Sequence, residues 1–139
     1  MSRADKFTGL SKTPIYYSDF TDNFSLNPQT GYLAILTNAD SIKNSIRNLC
    51  LTNRLERLYQ PGVGSKIQSL LFDLNDLATQ QLLITTIHET INNYEPRALN
   101  LQVIVNQVID ENQIAITVVF SMVNIVDPVS FTLILKRVR

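Results

Sequence analysis

The stretch Asn93–Gln102, NYEPRALNLQ, is where the chain changes its hydrophobic period. Upstream, in LATQQLLITTIHETINNY, Leu83, Ile87, Ile91 and Tyr94 recur three or four residues apart, which is one face of an amphipathic helix. Asp76 stands before that run as a natural N-cap. Pro96 ends the helix, because proline disfavours the α conformation in the residue before it, here Glu95. Downstream the period drops to two. Leu99, Leu101, Val103 and Val105 alternate with Asn100, Gln102 and Ile104, as in a half-buried strand. Two more runs of the same kind follow. Ile114, Ile116, Val118, Phe120 and Met122 form one, after a turn at Asp110–Gln113. Val129–Lys136 forms the other, with Phe131, Leu133 and Leu135 on one side, reached through VNIVDP.

Working back from the corner, Pro61, Gly62 and Gly64 break the chain into a loop, after which Ser65 can cap a short helix carrying Ile67, Leu70, Leu71 and Phe72. Before it, Ile42, Ile46, Leu49 and Cys50 predict a helix capped by Asp40. Earlier still, the runs Phe24–Leu26 and Tyr32–Thr37 flank NPQTG, whose Pro28 and Gly31 predict a hairpin. Residues 1–19 show no sustained period and read as an arm anchored by Tyr16 and Tyr17. The expected fold class is α+β: an N-terminal hairpin, three helices, then a C-terminal three-stranded antiparallel meander packed on the helices, with residues 20–139 as one domain.

Composition narrows the function. Of 139 residues, 17% are charged, and 12 Lys and Arg balance 12 Asp and Glu. A charge-poor, neutral surface resists association weakly and suits a subunit of an assembly. No basic block offers the footprint of a nucleic-acid binder. No apolar run reaches the length of a bilayer span, and MSRADKFTGLSK lacks the apolar core of a signal peptide. A single cysteine, Cys50, forms no internal disulfide, which fits a reducing cytoplasm during folding.

Catalytic groups are few. His88 is the only histidine and lies one residue off the apolar stripe of its helix, as a boundary residue does. Cys50 lies on an apolar stripe, as a small core residue does. One His and one Cys cannot build a zinc centre, and no metal or cofactor is expected. The Gly62–Gly64 pair lacks the further glycine and the Lys-Ser/Thr pair of a phosphate cradle. A pair of carboxylates, as glycoside hydrolysis needs, is available among Glu56, Glu89, Glu95 and Glu111. Arg97 beside Glu95 lowers a carboxylate pKa, the wrong direction for a general acid near neutral pH. The Glu95-Pro96-Arg97 corner is left as an ion pair, a clasp on the helix ends or on Arg57, or a docking point.

Three stretches in order resemble the baseplate wedge, or sheath-initiator, proteins of contractile phage tails, a family sometimes called lysozyme-like with relatives in contractile secretion machines. They are SIKNSIRNLCLTN (Ser41–Asn53) with ERLYQPGVGS (Glu56–Ser65), LLFDLND (Leu70–Asp76), and NYEPR (Asn93–Arg97). Leu55 departs from the pattern, standing where the family usually has glycine. The resemblance implies a structural subunit without catalytic residues, in multiple copies in a sixfold virion baseplate, made in the host cytoplasm. It implies that Glu95, Pro96 and Arg97, with Arg57, meet the helical wedge core. It also implies that the last strand, with Phe131, Leu133 and Leu135, meets the tail sheath protein and templates its first ring. The alternative function is a tail-associated cell-wall glycosidase. For the strand edge, the alternative is that the domain's own helices cover it.

Overall fold

The computed structural model describes residues 14–72, 76–108, 113–123 and 125–136. Their elements run β1 (Ser18–Phe20), β2 (Ile35–Thr37), α1 (Ala39–Leu51), α2 (Ile67–Leu71), α3 (Leu77–Tyr94), β3 (Ala98–Val108), β4 (Gln113–Met122) and β5 (Ile125–Lys136). β1 and β2 pair antiparallel, and β3, β4 and β5 form an antiparallel sheet with β4 in the middle. The class is α+β, as the period change predicts. The turn expected at Asp110–Gln113 lies outside the described residues up to its last member.

The core forms where the helices cover one face of the larger sheet. Ile42, Ile46 and Cys50 from α1, Leu83, Ile87 and Ile91 from α3, and Ile116, Val118, Phe120 and Met122 from β4 are all buried together. The strict alternation along β4 puts every second side chain into this core. On β3 a register shift between Leu99 and Gln102 inserts a bulge at Asn100, whose φ is 51°. Ala98 therefore stays buried while Leu99, expected on the core face, is turned outward.

The hairpin differs from expectation. Its paired strand is Ser18–Phe20, spanning the boundary expected at residues 19 and 20, and Phe24–Leu26 keeps only the bridge Leu26–Leu33. The turn consumes the intervening chain: Gly31 N–H donates to the Asn27 carbonyl at 2.9 Å, and Phe24 sits at a φ of 47° that no strand accommodates. α1 is preceded by Asn38 rather than capped by Asp40. Asp40 instead lies in the first turn and accepts from Lys43 at 3.1 Å, favourable to the helix dipole. Asp76 does cap α3, accepting from the Thr79 N–H at 2.8 Å. Lys66 stands at the N-cap position of α2, but the Ser65 hydroxyl still serves the helix end, accepting from the Ile67 N–H at 3.4 Å while it donates to the Cys50 carbonyl at 2.8 Å. Phe72, expected on that helix's apolar side, is exposed.

The loop from α1 to α2 closes on itself through a parallel bridge between Asn53 and Ser65. Gly64 makes that closure possible, at a φ of +126° and so close to the preceding strand of chain that a Cβ would lie 2.7 Å from the Thr52 carbonyl oxygen. Leu55 holds a φ of 71° in the same loop, so leucine adopts the left-handed conformation that glycine suits better.

Candidate docking corner at the end of the long helix

The corner is a turn that Pro96 prepares. Glu95 N–H closes the last α3 bond, to the Ile91 carbonyl at 2.8 Å, and the Ala98 N–H returns to the Glu95 carbonyl at 3.1 Å. Proline at the second position of such a four-residue turn already holds the required φ. The turn brings the two flanking side chains to the same side. Arg97 Nε donates to Glu95 Oε1 at 2.5 Å and its Nη2 to Oε2 at 2.8 Å, a bidentate fork. Glu95 is 2% exposed, whereas the Arg97 side chain keeps 31% of its surface.

Three residues support the pair. Ser45 of α1 hydrogen-bonds Glu95. The Tyr17 ring lies against the Arg97 guanidinium, 5.4 Å from ring centroid to Cζ. Asn38 ties down the segment that carries this ring, accepting from the Tyr16 N–H at 2.9 Å and donating to the Pro14 carbonyl at 3.0 Å. Burial pushes the Glu95 carboxyl pKa up. The hydrogen bonds from Arg97 and Ser45 and the arginine's charge outweigh it, so the pKa is lowered and the carboxylate stays ionised. A general acid needs the opposite shift.

The structure brings Glu95, Pro96 and Arg97 together, and Glu95 is paired with Arg97 rather than with Arg57. Arg57 is exposed, on a cleft of about 540 Å³ whose walls include Asp19, Ser45, Gln60 and Tyr94. Leu133 and Leu135 are buried in the core, and Phe131 is half-buried, edge-on to Phe120 with ring centroids 6.5 Å apart. Their side chains face inward. What β5 presents outward are Thr132, Ile134 and Lys136, together with its main chain. Tyr17 was foreseen as an anchor of the arm, but nothing local in the sequence pairs it, Ser45 or Asn38 with the corner.

The other reactive groups are quiet. Cys50 is buried and its thiol is pushed up to about 12 by burial, which keeps it protonated. His88 is exposed, its ring 3.1 Å from the Asn92 side chain one helical turn on. Among the described residues no group of three His, Cys, Asp or Glu is placed to hold a metal, and no helix is long and apolar enough to cross a membrane.

Residues 37–124, which contain this corner, match the model of the family described as baseplate wedge protein gp25. The chain belongs to that family. It is a family of contractile-tail baseplate proteins. The baseplate wedge protein gp25 of Enterobacteria phage T4 is 30% identical over 84 residues, covering 60% of this chain and 64% of the phage protein, less than two thirds of its length. Solved structures share the fold. A candidate tail lysozyme from Geobacter sulfurreducens superposes with a TM-score of 0.69 at 22% identity, covering 76% of this chain and 97% of that one. A chain of the anti-feeding prophage baseplate, symmetrised sixfold, gives 0.67 at 22% identity over 80% and 89%. One from the type VI secretion system baseplate gives 0.56 at 13% identity over 70% and 93%.

Proposed function

We propose that this gp25-family protein is a structural subunit of a contractile phage tail baseplate, present in multiple copies around a sixfold virion baseplate and made in the host cytoplasm. It attaches to the helical wedge core through the Glu95-Pro96-Arg97 corner and templates the first ring of sheath subunits along β5. It performs no chemistry of its own. The observation that carries the templating role is the outer edge of β5. This strand is 12 residues long, and among the described residues no strand pairs with its outer side. Such an edge offers a row of main-chain donors and acceptors to a strand from another chain. A groove of about 710 Å³ beside it, lined by Leu51, Leu71, Phe72, Ile134 and Leu135, has room for alternate side chains of that strand. At the corner, the fork leaves Arg97 Nη1 outside its two bonds to Glu95, on a side chain that still meets solvent.

Reconstitution tests both halves. Chains carrying Glu95→Ala with Arg97→Ala are expected to fold but fail to enter baseplates; normal incorporation sinks the attachment. Baseplates built with Ile134→Lys are expected to start sheath assembly slowly, because a charge at an exposed edge position opposes strand addition. Sheath growth at the wild-type rate would overturn the templating. Incubation with peptidoglycan completes the set, since turnover abolished by Glu95→Gln would make the corner an active site.

A further inference from the structure

The loop between α1 and α2 displays a surface of which only Arg57 has so far been given a role. The loop is held firmly. Beyond the Asn53–Ser65 bridge, Leu55 N–H donates to the Pro61 carbonyl at 2.9 Å and Val63 N–H to the Gln60 carbonyl at 3.1 Å. From outside the loop, the Tyr94 hydroxyl donates to the Gly62 carbonyl at 2.6 Å. Compact loops of this length ordinarily pack their own side chains. This one leaves its apolar tips in water: Leu58 is 93% exposed and Tyr59 97%.

The charges around those tips point one way. The Glu56 carboxylate turns back to accept from the Asn53 N–H at 2.7 Å. Arg54 and Arg57 are exposed, and the ion pairs among the described residues are Lys43–Asp40 and Arg97–Glu95, which include neither of them. Glu56 shares a shallow surface pocket with Arg57, Leu58 and Tyr59, but its carboxylate is engaged by the Asn53 N–H, so what the loop offers a partner there is chiefly apolar and cationic. The cleft behind it shares Arg57 with the loop and reaches Ser45 and Tyr94, the first bonded to Glu95 and the second its chain neighbour, so this surface is continuous with the corner.

We propose that the loop Arg54–Gln60 is a second docking element, seated on an apolar patch of the wedge-core partner that is bordered by carboxylates. Leu58 and Tyr59 enter the patch as anchors, and Arg54 and Arg57 pair with the acidic rim. Tyrosine and arginine concentrate binding energy at interfaces. A loop already fixed by hydrogen bonds gives up little conformational freedom on docking. A basic or purely neutral partner surface would leave two guanidinium groups without counterparts. The choice of partner rests on the attachment reading above; the chemistry of the loop does not.

The test is binding of the full chain to purified wedge-core proteins across a salt series. Leu58→Ser with Tyr59→Ser should keep the wild-type Tm, since both side chains are exposed, and weaken binding about 30-fold or more, as loss of one interface hot spot does. Arg54→Gln with Arg57→Gln should flatten the salt dependence. Wild-type affinity and salt slope in both loop variants, with binding lost in the Glu95→Ala, Arg97→Ala chain, would overturn the loop and leave the corner standing. The reverse pattern would overturn the corner and leave the loop. If the wild-type chain does not bind wedge-core proteins, the attachment reading falls, and the loop is scored on incorporation of its variants into tails, where normal incorporation overturns it.

Discussion

Glu95 is a carboxylate kept charged although it is 2% exposed, and the reason is the fork from Arg97. Removing only one member of a buried pair leaves the other without compensation, so Arg97→Ala should destabilise the domain by about 3 kcal/mol. Removing both charges spares that penalty. The Glu95→Ala, Arg97→Ala chain should therefore lose less stability than the sum of the single variants, as a double-mutant cycle by urea denaturation will show. The pH dependence follows from the same pair. The folded-state pKa lies below the group's ordinary value of 4.5, so the pair's contribution is complete above that value and is lost as pH falls through the folded one. Asp22, held by the Asn48 and Asn44 side chains, and Asp76, held by Thr79, shift in the same direction, from an ordinary value of 3.8, so any contribution of theirs is lost at lower pH. Glu95→Gln should flatten, without abolishing, the fall of Tm below pH 4.5, a difference a pH series of thermal melts will read. The Glu-Pro-Arg triplet announced an ion pair or a docking point. It could not announce Tyr17 and Ser45, because these stand 80 positions before Arg97 and 50 before Glu95 and reach the corner only through packing of the segment before β1 and of α1.

At the scale of elements, backbone conformation in the α1–α2 loop separates two residues that the sequence makes look alike as loop members. Gly64 has no room for a Cβ and a φ that side chains rarely adopt, so Gly64→Ala should cost more than about 2 kcal/mol. Leu55 is 80% exposed and left-handed, so Leu55→Gly removes strain and little burial and should stabilise by about 0.5–1 kcal/mol. The two variants should move the urea midpoint in opposite directions. Leucine at position 55 thus holds a backbone conformation that glycine would take without strain. α3 was legible end to end, because its stripe, its Asp76 cap and its Pro96 stop are local signals. The hairpin was not. Phe24 and Leu26 have strand-forming side chains, but pairing belongs to Ser18–Phe20, and a three-residue strand is too short to carry a period.

For the whole molecule, Phe120 is the hinge of stability: fully buried on the central strand, it meets Phe131 edge-on beneath the helices. Phe120→Ala should cost about 3–5 kcal/mol, a large part of the 5–15 kcal/mol typical of a domain, and a urea titration measures it. The corner opens into β3 and the proposed template is β5, at opposite edges of one sheet. Two strand spacings, about 10 Å, separate those edges. On the proposed reading, one rigid sheet carries attachment along one side and sheath along the other, and baseplate rearrangement passes between them through fixed contacts.

The residue order alone determined the α+β class, the long helix and its stop, the alternation of the meander and the placing of a carboxylate and a guanidinium on either side of a proline corner. Each of these depends on side-chain period or on the backbone limits of proline, which act within a few residues. Tertiary structure decided which way the pair faces, that Leu133 and Leu135 serve the core while β5 keeps its main chain outward, and that Leu58 and Tyr59 stay in water. Those outcomes depend on which surfaces compete for the same buried space, and a strand or loop read in isolation carries no record of its competitors.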